Sequence, residues 1–180
     1  RHAMPEVRQA VGSTLWGLGD SAREDCALLA HALPVGTAPV VWTSAERQAR
    51  ETAEVLALRL GRDVRTDPRL SEVDRPPTWD RDYREVAASY LAGEVEPGWE
   101  PPNAVVVRFA AGIAAASERA DTAEDVIVVN HGLAMSLWMA SRLPLDVVSW
   151  WKSLTFPDAW RVDLDAQTVE HLWLGGREGT

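Results

Sequence analysis

Hydrophobic positions change their period several times along the chain, and each change predicts an element. Over residues 21–33, Cys26, Leu29 and Leu33 share one stripe at helical spacing, with Asp20 placed to cap the helix and Pro34 to stop it. Pro39, Val40, Val41 and Trp42 then form an all-apolar run of the kind buried on both faces of a parallel sheet. Thr43-Ser44-Ala45-Glu46 reads as a capping box. It would open a helix running through Thr52, Ala53, Leu56 and Leu60 and stopping at Gly61. A short extended piece around Val64 leads to Leu70-Ser71-Glu72. Pro76, Pro77, Pro97, Pro101 and Pro102 make residues 75–102 an irregular excursion holding one helix, over 80–91. Asn103 caps a long Ala-rich helix ending near Ala120. The clearest strand, 125–130, runs straight into His131-Gly132 and an apolar helix over 133–143. Asp146 caps a short helix carrying Trp150 and Trp151, and strands over 159–164 and 168–174 bracket a turn at 165–167.

Strands alternating with helices predict an α/β fold, a three-layer sandwich around a mostly parallel sheet, because parallel neighbours need helical crossovers. The chain of 180 residues, 46% hydrophobic and 25% charged, is the size of a single domain spanning 1–180. A net charge of −9 sets up a field that repels nucleic acid and anionic lipid, which argues against either as a partner. The single cysteine, Cys26, falls on an apolar stripe and reads as a buried thiol, which fits a reducing, cytoplasmic setting. No apolar run approaches the ~20 residues of a membrane span. No metal-ligand spacing appears, and no cofactor is expected.

In such sheets ligands bind beyond the carboxyl ends of the strands. That rule selects Thr43 and Ser44 after one strand and His131 and Gly132 after another, at helix starts whose free N–H groups favour an anion. A histidine is more often a satisfied core residue, but His131 stands where an anion-binding imidazolium is useful. Arg1-His2 is costly to bury without an anionic partner, and its alternative is a frayed terminus or tag remnant. Glu46, Glu51 and Glu54, interspersed with Arg47 and Arg50, read as a solvated helix face. His31 and His171 read as structural or surface residues.

Four blocks together resemble the histidine phosphatase superfamily, the phosphoglycerate-mutase-like fold of the branch 1 type. Arg1-His2-Ala3 is similar to its Arg-His-Gly or Arg-His-Ala signature. Residues 44–53, from Ser44 to Thr52-Ala53, resemble its Ser-x-x-x-Arg-Ala-x-x-Thr-Ala block. Leu70-Ser71-Glu72 matches its Leu-x-Glu, and Asn130-His131-Gly132 its strand-Ser-His-Gly. The resemblance implies a phosphatase in which His2 attacks phosphorus in line and forms a phosphohistidine without a metal. Arg1 and a protonated His131 would neutralise the equatorial oxygens, preorganised donors worth ~3–4 kcal/mol apiece. Glu72 would protonate the leaving oxygen and later deprotonate water. An acid of that kind works near neutral pH when burial or nearby anionic charge favours its protonated form.

Two departures qualify the match. The family's second phosphate-binding Arg falls at Gln48, which can donate hydrogen bonds but carries no charge. This leaves open a weakened enzyme, an altered substrate, or a binding module that kept the pocket. The family's first strand, which lies mid-sheet and leads into the nucleophile, has no counterpart before Arg1, so residues upstream are expected. The short segment between Glu72 and His131 favours a small phosphatase acting on a small phosphorylated substrate over a mutase. In the Pro-rich stretch, Trp79, Tyr83 and Trp99 either form a lid or wall of the pocket or pin the loop to the core. Phe156-Pro157-Asp158-Ala159-Trp160 and the Trp150-Trp151 pair are assigned to packing.

Overall fold

The computed structural model describes residues 1–8, 10–33, 40–76, 82–118, 125–173 and 177–178. A one-turn helix at Ser13–Leu15 precedes α1 (Asp20–Ala32), β1 (Val40–Thr43), α2 (Arg47–Leu60) and β2 (Asp63–Thr66). Another short turn, Pro68–Leu70, leads to α3 (Tyr83–Leu91), α4 (Pro102–Ser117), β3 (Ile127–Val129), α5 (Gly132–Arg142) and α6 (Val147–Ser153). The chain closes with β4 (Thr155–Phe156), β5 (Trp160–Asp163), β6 (Thr168–His171) and β7 (Arg177–Glu178).

The central sheet has the order β2-β1-β3, parallel throughout, with Val41 facing Ile127 and Val64 on its two sides. β5 and β6 pair antiparallel across the expected turn, and β4 pairs with β7. Because side chains alternate along a strand, β1 serves both layers. Val41 and Val129 point to α1 and α2, where they meet Leu29, Ala49, Ala53 and Leu56. Trp42 points the other way, into the larger core of α3 to α6 around Leu70, Phe109, Leu133 and Met139. This is the α/β three-layer arrangement expected from the alternating elements. Cys26 is buried with Ala3, Leu18 and Ala22, and burial pushes its thiol up to about 11. Among the described residues no helix is long and apolar enough to cross a membrane.

Three predicted caps do not form. Gly19, not Asp20, is the N-cap of α1, and Asp20 becomes its first residue, still at the end where the helix dipole favours an acid. α4 starts from Pro101 with Pro102 in the first turn and Asn103 inside the helix, since proline lacks the N–H that this position leaves unpaired. The Thr43-to-Glu46 capping box is absent: Thr43 ends β1, and α2 begins at Arg47 with no side-chain cap from Glu46. The helix expected over 80–91 starts at Tyr83, capped by Asp82. Asp146 does cap α6, accepting from the Ser149 N–H at 2.7 Å. Trp79, Pro34 and Ala120 lie outside the described residues.

Candidate active site

The carboxyl ends of β1 and β3 adjoin, and everything at the site is hung from them. The Ser44 N–H donates to the Val129 carbonyl at 3.3 Å, and the His2 N–H to the Asn130 carbonyl at 3.0 Å. Arg1 exchanges backbone bonds with Asp158, and the Ala3 N–H donates to Thr52 Oγ1 of α2 at 3.1 Å. The first three residues are therefore fixed between β3, α2 and the segment before β5.

His2 and His131 face each other edge-on with ring centroids 5.0 Å apart, both buried. A carbonyl can only accept, so the 2.7 Å contact from His2 Nδ1 to the Ala3 oxygen places the proton on Nδ1 and leaves the Nε2 lone pair free. Burial first, and then His131 beside it, hold His2 well below the ordinary histidine pKa, so its ring is neutral at pH 7. His131, at the start of α5, meets Ser44 Oγ through Nε2 at 2.6 Å. Burial lowers its pKa too, against the opposing pull of Glu46 and Glu72.

Arg1 lays its guanidinium over the Phe156 ring, 3.5 Å from the centroid, and donates to the Leu154 carbonyl at 3.1 Å. Its buried Nε has no hydrogen-bond partner among the described residues. Burial lowers it to about 10, so it remains a cation at neutral pH. A Cβ at position 132 would stand 3.2 Å from the guanidinium carbon, so glycine there lets Arg1 come close to the α5 N-terminus. Glu72 shares that terminus: its carboxylate accepts from the N–H groups of Leu133 at 3.1 Å, Ala134 at 2.8 Å and Val73 at 3.0 Å.

Gln48 is 4% exposed and its amide donates to Glu46 Oε2 at 3.0 Å, while its own oxygen is buried without a partner among the described residues. The flanking cations are occupied elsewhere, Arg47 with Glu51 at 2.6 Å and Arg50 with Glu54 at 3.7 Å.

The five predicted residues Arg1, His2, Gln48, Glu72 and His131 thus join one contact network, but the solvated face assigned to Glu46, Glu51 and Glu54 does not exist as such. Glu46 is only 8% exposed and accepts the Glu72 N–H at 2.7 Å, with Oε1 3.4 Å from His131 Nε2. Glu51 is buried under the Leu18 N–H and between Arg23 and Arg47, and only Glu54 is exposed. The charge alternation that suggested solvent is real, and Arg47 and Arg50 do pair with Glu51 and Glu54, but Arg23 of α1 and the Glu72 segment close over Glu51 and Glu46, which periodicity within one helix does not show. The segment 156–160 is packed as assigned, and at Phe156 it packs against the site itself. Phe156 stacks against both Arg1 and His2, the latter with centroids 5.4 Å apart. Asp158 bonds the Thr155 N–H at 2.9 Å and His171 Nε2 at 2.7 Å. Tyr83 packs on Trp151, and Arg75 lies over the Tyr83 and Trp99 rings, 4.5 and 5.5 Å from their centroids. Among the described residues no group of three or more His, Cys, Asp or Glu is arranged to hold a metal ion.

A search of the curated proteins finds no match. Solved structures do match, and at these identities they bear on the fold alone. Bacillus stearothermophilus YhfR superposes with a TM-score of 0.71 at 21% identity, over 99% of this chain and 95% of that one. TTHB049 from Thermus thermophilus gives 0.68 at 24%, over 97% and 96%. The mycobacterial glucosyl-3-phosphoglycerate phosphatase Rv2419c, in its complex with inorganic phosphate, gives 0.68 at 20%, over 98% and 94%. The family model of the histidine phosphatase superfamily (branch 1) matches residues 1–162, a span that contains every residue of the network around His2 and His131. With the parallel sheet, the paired imidazoles and that match in agreement, the chain belongs to branch 1 of the histidine phosphatase superfamily.

Proposed function

We propose that the protein is a phosphatase that hydrolyses a phosphate monoester of a small molecule through a phosphohistidine on His2. Membership of the superfamily supports phosphatase chemistry in general. The observation that carries the finer reading is the His2 ring: neutral, with Nδ1–H committed to the Ala3 carbonyl and Nε2 free beside His131.

In the first step His2 Nε2 attacks phosphorus as the bond to the leaving oxygen breaks, and that oxygen takes its proton by way of Glu72, whose carboxylate receives it from the bound phosphate monoanion. In the second, water attacks the phosphohistidine, gives a proton to Glu72, and the P–N bond breaks to release phosphate. Arg1, whose Nε–H has no partner among the described residues, and His131 would donate to the equatorial oxygens. An arriving anion favours the imidazolium form of His131, reversing the effect of burial. No metal takes part.

The test is release of phosphate from an aryl phosphate in the presence of a chelator. Wild type turns over, His2→Ala loses at least ~10³-fold, and an acid-labile, base-stable phosphoprotein forms in wild type only. Turnover that survives His2→Ala removes the mechanism.

One observation favours a second reading, a catalytically weakened module that binds a phosphorylated ligand or a protein. Position 48 supplies no cation, and the Gln48 amide is turned to Glu46. Gln48→Arg separates the two. A gain of ~10²-fold or more in kcat/KM marks a degenerate pocket, whereas an unchanged rate in an active wild type shows that Arg1 and His131 suffice.

A further inference from the structure

Glu72 lies on a stretch, residues 71–76, that belongs to no helix or strand, yet an acid that meets a leaving oxygen must be held in place. The Arg108 side chain, from the middle of α4, reaches under this stretch. Its Nη1 donates to the carbonyls of Arg69 at 2.9 Å and Ser71 at 2.7 Å, and its Nη2 to the carbonyl of Glu72 itself at 2.8 Å. Nε and Nη2 complete the set as a fork on Glu100, at 2.7 Å to each carboxylate oxygen. All five donors of one guanidinium are thus used, three of them on backbone carbonyls that no α-helix or sheet ladder satisfies. Glu100 is itself tied to the same stretch, its N–H donating to the Asp74 carbonyl at 2.8 Å and its carboxylate accepting the Asp74 N–H at 3.3 Å. Tyr90 of α3 holds the Glu100 carbonyl from behind at 2.8 Å. One turn further along α4, Gly112 lies against buried Leu70, two residues before Glu72.

We propose that Arg108 is a positioning residue for the reaction: anchored by Glu100, it sets the backbone on both sides of Glu72 and so fixes where that carboxyl meets the leaving oxygen. The inference rests on the reading of Glu72 as the leaving-group acid. It predicts a dependence on the leaving group that a simple brace would not produce. A nitrophenolate departs without a proton, whereas an alkoxide does not, so a misplaced acid penalises alkyl phosphates selectively.

The experiment compares wild type, Arg108→Lys, Glu100→Gln and Glu72→Gln on p-nitrophenyl phosphate and on an alkyl phosphate, with inorganic phosphate as competitive inhibitor. Lysine keeps the charge but cannot span three carbonyls and a carboxylate. Glu100→Gln leaves the carbonyl bonds and loosens only the anchor, so it serves if Arg108→Lys does not fold. Arg108→Lys and Glu100→Gln should lower kcat/KM on the alkyl ester by ~10-fold or more and on the aryl ester by less than ~2-fold, with phosphate inhibition unchanged. Glu72→Gln should show the same selectivity more strongly, ~10²-fold or more. Equal losses on both esters, or losses that follow phosphate inhibition, overturn the proposal. A selective Glu72→Gln beside unselective Arg108→Lys and Glu100→Gln overturns it alone. A Glu72→Gln that is itself unselective overturns both this proposal and the acid assignment.

Discussion

At the scale of single residues, the site is governed by how buried titratable groups are partnered. His2 and His131 are both held below the ordinary histidine value near 6.5, chiefly by burial. The unfolded chain therefore binds more protons than the folded one as pH falls through that value, and stability rises with pH across this range. Each imidazole contributes up to about 1.4 kcal/mol per pH unit, from about 6.5 down to its depressed folded-state pKa. Urea unfolding between pH 7.5 and 5 should show this loss on acidification, and His2→Phe should flatten the slope. A slope unchanged in His2→Phe would mean that His2 is charged in the fold. Glu46 belongs to the same scale. Its buried carboxylate, 3.4 Å from His131 Nε2, works against the effect of burial on that imidazole. It is the pocket residue that charge patterning misassigned.

The elements show how the acid segment is carried. α4 presents Phe109 to the core and Arg108 and Gly112 to the stretch around Glu72. In most helices glycine to alanine gains ~1 kcal/mol. At Gly112 the added methyl would lie 2.8 Å from Leu70 Cδ2 and 3.3 Å from Arg69 Cβ, and Leu70 is fully buried with nowhere to turn. Gly112→Ala should therefore destabilise by about 1–3 kcal/mol in urea unfolding despite the better helix propensity. A gain in stability would show that α4 and the Glu72 segment are looser than this contact implies. α5 serves the site with its N-terminus, and there the donors that could cradle an anion are taken by Glu72.

Across the whole molecule, Asp158 connects the β5–β6 hairpin to the pocket. It is 2% exposed, and its carboxylate holds Thr155 on one side and His171 on the other, while its backbone pairs with Arg1. His171 is in turn stacked on Trp160 with centroids 4.0 Å apart. Asp158→Ala leaves the Thr155 N–H and the His171 ring without their acceptor, so it should cost about 2–4 kcal/mol by urea unfolding. It should also weaken competitive inhibition by phosphate, because Arg1 rests on Leu154 and Phe156 in the same segment. Loss of stability with phosphate inhibition intact would separate the hairpin from the pocket.

What the primary structure determined by itself is local: an all-apolar run leading into Thr43-Ser44 and another leading into Asn130-His131-Gly132 place two turns on one rim of a parallel sheet. The Arg1-His2 pair and the Leu70-Ser71-Glu72 block mark the remaining groups. These were legible because strand and helix patterns depend on neighbours within a few positions. Tertiary structure alone decided that Glu46 faces His131 and Glu72 and not water, that Phe156 packs on Arg1 and His2 while Asp158 ties their segment to His171, and that Arg108 supports the stretch bearing Glu72. The physical reason is the same in each case. A buried polar side chain goes to whichever donor or acceptor the fold brings within about 3 Å, and those partners lie tens of residues away, beyond the reach of any pattern in the segment itself.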